Sequence, residues 1–273
     1  NGAADGGGGG AALGNGTAGD NGIVIITYGT GSLTSQTVSW AQFNQTTGTI
    51  DSANPGNGVC SGWCTSSAYN LPAARSNFSL VAYNGFLYAF GGVDSTGTRQ
   101  STVYIAKIGA NGEPRLWHPT DTNKNNWVYW YTDTALSSIR SDTAAVAYNN
   151  RMYLVGGRST SGTPVSTVQI ADINPTGTLG TWTSSTALSG NLYGHDAKVY
   201  NDRLYVIGGA TTGGGAPSSS VTYNKSNSNG TLNSWITTTS LPSGRMSGGG
   251  NFTTVWGGYL YSSGGCSAVN GSG

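Results

Sequence analysis

The chain has 273 residues, 45 of them glycine, and 8% carry a charge, against roughly 25% in an ordinary soluble domain. Lys and Arg number 12 and Asp and Glu 11, a net charge of +1 that excludes a binder neutralising nucleic-acid phosphates and any polyionic tail. No apolar run approaches the roughly 20 residues of a membrane span, yet 36% hydrophobic residues, with 8 Trp and 15 Tyr, suffice for a large core.

In chain order, residues 1–31 form a Gly-rich arm that closes on the apolar strand Ile23–Ile26. Two readings stand: a flexible arm, or a segment ordered by adding to a sheet. Residues 35–44 match the third strand of the repeated units further along the chain, and the stretch to Trp63 matches a fourth. Cys60 and Cys64 lie in the segment CSGWC; a zinc site would need further ligands, so a small disulfide is expected. A bridge from Cys266 to either of them stays open.

From Leu71 the chain repeats itself. Residues 71–92, 136–157, 188–209 and 241–265 each give a first strand, a tight turn and a second strand ending in Gly-Gly. The turns are Asn84-Gly85, Asn149-Asn150, Asn201-Asp202 and Gly257-Gly258, residues that tolerate positive φ. The second strands carry Tyr88, Tyr153, Tyr205 and Tyr261. The first three copies continue into a third strand, and a fourth is expected to end at Trp117, Trp182 or Trp235. No run has helical periodicity.

Such four-stranded units, with paired glycines and a terminal Trp, resemble kelch repeats. The resemblance implies an all-β fold: a kelch-type β-propeller over residues 32–273, with three whole blades and one split between the termini. The split blade would close within one chain or between chains. The Gly-rich segment resembles the end of a module found in bacterial secreted and surface proteins.

Alternation of strands sends the long second-to-third-strand loops and the fourth-to-first links to one face of a propeller. Residues 118–135 read as an insertion on that face, with Trp127, Tyr129, Trp130 and Tyr131 either exposed for stacking or packed down as an extra strand. Arg75, Arg140 and Arg245 recur just before the first strands, with Leu192 at the remaining position. They would hold carbonyls of neighbouring blades or an anionic ligand, and His195 lies near their level.

Kelch-like propellers include copper oxidases, whose site needs two His, two Tyr and a crosslinked Cys. His118 and His195 occupy unrelated repeat positions here, and Glu113 falls on the opposite face. No catalytic residue, metal or cofactor is therefore expected. The expectation is a non-enzymatic, extracellular or cell-surface binding and adhesion module for a glycan or protein ligand. The alternative is a structural subunit that self-assembles by exchanging half-blades or the arm, and a carbohydrate-active enzyme ranks below both.

Overall fold

A computed structural model describes residues 11–12, 23–26, 39–42, 64–109, 112–213, 215–247 and 252–266, with strands alone described before residue 66. In chain order the strands are β1 (Ala11–Ala12), β2 (Ile23–Ile26), β3 (Ser39–Gln42), β4 (Cys64–Thr65), β5 (Ser79–Tyr83), β6 (Phe86–Phe90), β7 (Val103–Ile108), β8 (Pro114–Arg115), β9 (Tyr131–Asp133) and β10 (Ala144–Tyr148). They continue as β11 (Arg151–Val155), β12 (Val168–Asp172), β13 (Thr183–Ser185), β14 (Asp196–Tyr200), β15 (Arg203–Ile207), β16 (Val221–Lys225), β17 (Ile236–Thr237), β18 (Thr253–Trp256) and β19 (Tyr259–Ser262). A 3-10 turn, Ser67–Tyr69, leads from β4 into the repeats.

Three antiparallel blades succeed one another. The first is β5-β6-β7, with β8 and β9 both paired to β7; the second is β10 to β13 and the third β14 to β17. The two-residue turns hold both residues at positive φ, as at Asn149 (47°) and Asn150 (56°), which matches the twist of the strands they join. The Gly-Gly pairs mark the closest approach of blade to blade. Gly92 N–H donates to the Arg140 carbonyl (2.8 Å), Gly157 to Leu192 (2.8 Å) and Gly209 to Arg245 (2.7 Å). A Cβ on Gly91, Gly156 or Gly208 would collide with those same carbonyls, so no larger residue fits.

A second belt of backbone bonds runs beside the first. Asp142 N–H donates to Asn77 (2.9 Å), Gly194 to Asp142 (2.9 Å) and Ser247 to Gly194 (2.8 Å), one bond per blade step. Between the first and second blades, Val81, Tyr88, Phe90 and Ile105 pack on Met152, Leu154, Leu179 and Trp182. Between the second and third, Val146, Tyr153 and Ile170 pack on Leu204, Val206 and Leu232. The seam from the third blade to the hairpin β18–β19 is thinner, with Ile207, Val221 and Phe252 at its centre.

Two expectations are corrected. The fourth strand starts after the blade Trp: Trp182 precedes β13 and Trp235 precedes β17. The expected pairing of β19 with the N-terminal strands is absent among the described residues, because β2 holds the edge of β3 (Ile25 opposite Trp40). β1 adds in parallel to the free edge of β5, with Ala11 opposite Leu80.

Candidate functional site

The upper face, where second-to-third-strand loops and fourth-to-first links emerge, gathers the recurrent arginines. Arg75 and Arg140 are 6% and 5% exposed. Each guanidinium donates to the carbonyl just before it and to a Thr of its own blade: Arg75 to Ala74 (3.0 Å) and Thr102 (2.9 Å), Arg140 to Ile139 (2.8 Å) and Thr167 (2.5 Å). The side chains thus tie the entry of the first strand to the start of the third. The contact with the neighbouring blade is made by the backbone carbonyl instead. Arg245 keeps that backbone role and its side chain is half-buried.

Two arginines that the repeat pattern did not single out complete this face. Arg99, from the loop after β6, reaches the next blade and donates through Nε to Ser141 Oγ (2.9 Å), which donates in turn to Asp142 (2.6 Å). Arg158 lies 3.8 Å above the Tyr193 ring. The Asp142 carboxylate also accepts from Asn77 Nδ2 (3.0 Å). Burial raises its pKa, and the Ser141 hydroxyl, Arg158, Arg99 and Asn77 pull it back. No repeat signal marks Arg99 and Arg158, which stand in the loops after the first and second Gly-Gly pairs at positions that do not correspond.

His195 is fully buried beside Gly156 and Gly209. Desolvation lowers its pKa to about 4, against the opposing pull of Asp196 and the Val155 carbonyl. It is a wall of the blade seam, closed to any ligand. Asp196 beside it accepts from Lys198 (2.8 Å) and from the N–H and hydroxyl of Thr253 (2.8 and 2.7 Å), joining the third blade to the hairpin.

The aromatic insertion is elsewhere. Residues 116–129 stand where the second blade has Thr181 alone, so the excursion interrupts the outermost strand rather than extending beyond it. β8 pairs with the end of β7, Trp117 and Val128 bridge at the neck of the excursion, and β9 resumes with Tyr131 opposite Ile105. It therefore leaves the outer edge of the first blade and does not join the upper face. Trp130 takes the place of Trp182 and Trp235: it is 6% exposed and its Nε1 donates to the Tyr69 carbonyl (2.8 Å). Tyr129 packs edge-on against Tyr69 at 4.9 Å, and Tyr131 belongs to β9. Trp117 is buried on the other side of the sheet against Phe86.

Trp127 remains half-buried, its Nε1 donating to the Asp121 carbonyl (2.7 Å) under the Lys124 ammonium. Asp121 also caps its own loop, accepting from Asn123 and Asn126 N–H (2.7 Å each), which lowers its pKa. His118 Nδ1 accepts from Asp121 N–H (3.0 Å), so it serves the same loop.

On the lower face, an open groove of about 390 Å³ between the second and third blades is lined by Tyr148, Arg151, Asp202 and Lys225. Arg151 pairs with Asp172 (2.7 Å) and the Tyr148 hydroxyl donates to Asp202. The expected bridge between Cys60 and Cys64 lies outside the described residues. Cys266 is half-buried and has no disulfide partner among the described residues.

No protein-family model matches the chain. The kelch repeat protein M-T8 of myxoma virus is 29% identical over 141 residues, 51% of this chain and 23% of that protein. Kelch-like protein 36 of the rat is 25% identical over 140 residues, 51% of this chain and 20% of that protein. The matched part thus spans less than a quarter of either relative's length. The solved structure of YjhT overlaps 96% of this chain and 92% of its own at 15% identity, with a TM-score of 0.49. The repeated four-stranded sheets and the kelch-protein matches together give a kelch-type β-propeller.

Proposed function

We propose that the chain is a non-enzymatic binding module of a secreted or cell-surface protein, and that its upper face takes a protein ligand through carboxylate groups. The carrying observation is the charge arrangement of that face. Arg99, Arg158 and Arg245 are each half-buried there, while Asp142, at the same level, is buried with its carboxylate already bonded. Guanidinium groups in a partly desolvated rim favour carboxylates by charge-assisted hydrogen bonds. Low charge over the rest of the chain keeps that preference local. The extracellular address rests on the same low charge and on the cysteines.

A peptide array varying Asp and Glu content tests this reading with the purified chain and its Arg99→Ala/Arg158→Ala/Arg245→Ala variant. The expected result is binding that rises with acidic content, weakens with salt and falls at least about tenfold in the variant. Equal binding by both proteins, or none by the parent, would contradict it.

One observation favours the second reading, self-assembly. The hairpin β18–β19 exposes Trp256 (79%), Tyr259 (68%) and Tyr261 (50%), and among the described residues β19 pairs with β18 alone. Molar mass by light scattering across a concentration series tests it: assembly requires growth above the monomer mass.

A further inference from the structure

The lower-face groove between the second and third blades has a counterpart in the first seam, and the two places are filled differently. Strand register defines the equivalence. Arg151 lies opposite Asp172 in the second blade, as Arg203 lies opposite Lys225 in the third. Asp172 and Lys225 therefore correspond, and so do Ile173 and Ser226, which bridge to Leu179 and Leu232.

The scaffold of the two seams is the same. At the base of each, a tyrosine is tied to a turn of the next blade: the Tyr88 hydroxyl donates to the Gly177 carbonyl (2.9 Å) and the Tyr153 hydroxyl to that of Gly230 (3.0 Å). Nearer the solvent, the Tyr83 hydroxyl donates to Asn150 Oδ1 (3.1 Å) and the Tyr148 hydroxyl to Asp202.

The space inside that scaffold is not. In the first seam Phe86 is buried, and Ile173 packs against the same cluster. In the second, Arg151 and Ser226 take their places. Arg151 is drawn to Asp172 of its own blade (2.7 Å) and lies against Gly230, and a serine fills far less room than an isoleucine. The place that apolar side chains close in one seam is thus open in the other. Its volume of about 390 Å³ falls within the roughly 300–1,000 Å³ of small-molecule sites.

The walls decide what fits. Asp172 neutralises Arg151, which leaves one cation, Lys225, and one carboxylate, Asp202, along the groove. Among the described residues Lys225 pairs with no carboxylate, and Asp202 has one oxygen bonded to Tyr148 and the other without a donor. Ser226 and Ser228 also line the groove. Such a balanced set gives an anion or a cation no net advantage, and an apolar ligand would leave its polar groups unpaired. Each hydroxyl of a sugar, by contrast, both donates and accepts.

We infer that this groove binds a neutral sugar, at a site separate from the carboxylate-binding upper face. Sugar hydroxyls donate to Asp202 and accept from Lys225, and Tyr148 forms an aromatic wall.

An amide NMR titration of the purified chain with D-glucose, D-galactose, D-mannose and N-acetyl-D-glucosamine tests this, with glycine as a doubly charged control. Saturable shifts at the Ser226 and Ser228 amides are expected with at least one sugar and not with glycine. Ser226→Ile installs the residue of the first seam and should abolish them. Asp202→Asn keeps an acceptor for Tyr148, as Asn150 serves Tyr83, yet should weaken sugar binding about tenfold, the scale of one charge-assisted hydrogen bond. Lys225→Gln should weaken it by a similar factor. Thermal midpoints verify folding, and the two polar variants carry the test if Ser226→Ile does not fold. No saturable shift with any of the four sugars, affinity unchanged in the folded variants, or a stronger response to glycine would overturn the inference.

Discussion

The first and second blades share one plan and differ at one place. The second passes from Gly180 to Trp182 through a single residue, whereas the first makes a long excursion before Trp130 resumes the same role. The excursion costs the blade nothing essential, because the outermost strand has a free side along which chain can leave and return. It also gives one side chain to each face of the sheet: Trp117 to the seam with the second blade, and Tyr129 to the packing around Tyr69. An aromatic-rich insertion can therefore be mostly core. Of its four candidate ligand residues, Trp127 alone stands clear of the sheet.

The largest effects should fall on the shared plan. Trp130→Ala and Trp182→Ala should each destabilise by about 3–5 kcal/mol in urea unfolding, since both delete a buried indole and leave a cavity. If Trp130→Ala proved mild while Trp117→Ala was severe, the blade Trp would have been misassigned.

His195 sharpens the comparison of seams by pH. Its folded-state pKa of about 4 lies below the ordinary value of 6.5, so the unfolded chain takes up the proton first. Its contribution is complete above pH 6.5 and is lost as pH falls toward 4, on the order of 3 kcal/mol in all. Urea midpoints measured across this window should fall for the parent and flatten for His195→Gln. The raised pKa of Asp142 acts in both proteins and cancels in the difference.

Gly177→Ala should cost about 1–3 kcal/mol, because it forces a Cβ into the Phe86 ring at positive φ. At Gly97, with similar φ but open space, the same change should cost only the backbone strain, about 1 kcal/mol. Asp121→Ala should act locally: faster amide exchange at Asn123 and Asn126, with the global midpoint unchanged.

Much of the fold was legible because strands, tight turns and Gly-Gly pairs recur in fixed order, and each has a local physical cause. The blade Trp was misplaced because the residues up to Trp117 imitate the approach to Trp182. The better signal lies on the C-terminal side of the indole. Trp130, Trp182 and Trp235 each have a Thr four residues on, at Thr134, Thr186 and Thr239, and Trp117 does not. The arginine positions were visible, but their roles were not. Whether a guanidinium meets its own blade or the next depends on where Thr102 and Thr167 fall in space. Arg99 and Arg158 carried no such signal because their loops do not repeat.

The most direct test is thermal unfolding of Trp130→Ala beside Trp127→Ala, which compares the repeat with its insertion three residues apart. Trp130→Ala should lose several kcal/mol and Trp127→Ala about 1 kcal/mol or less. Equal losses, or a larger loss at Trp127, would contradict the assignment of Trp130 to the propeller core.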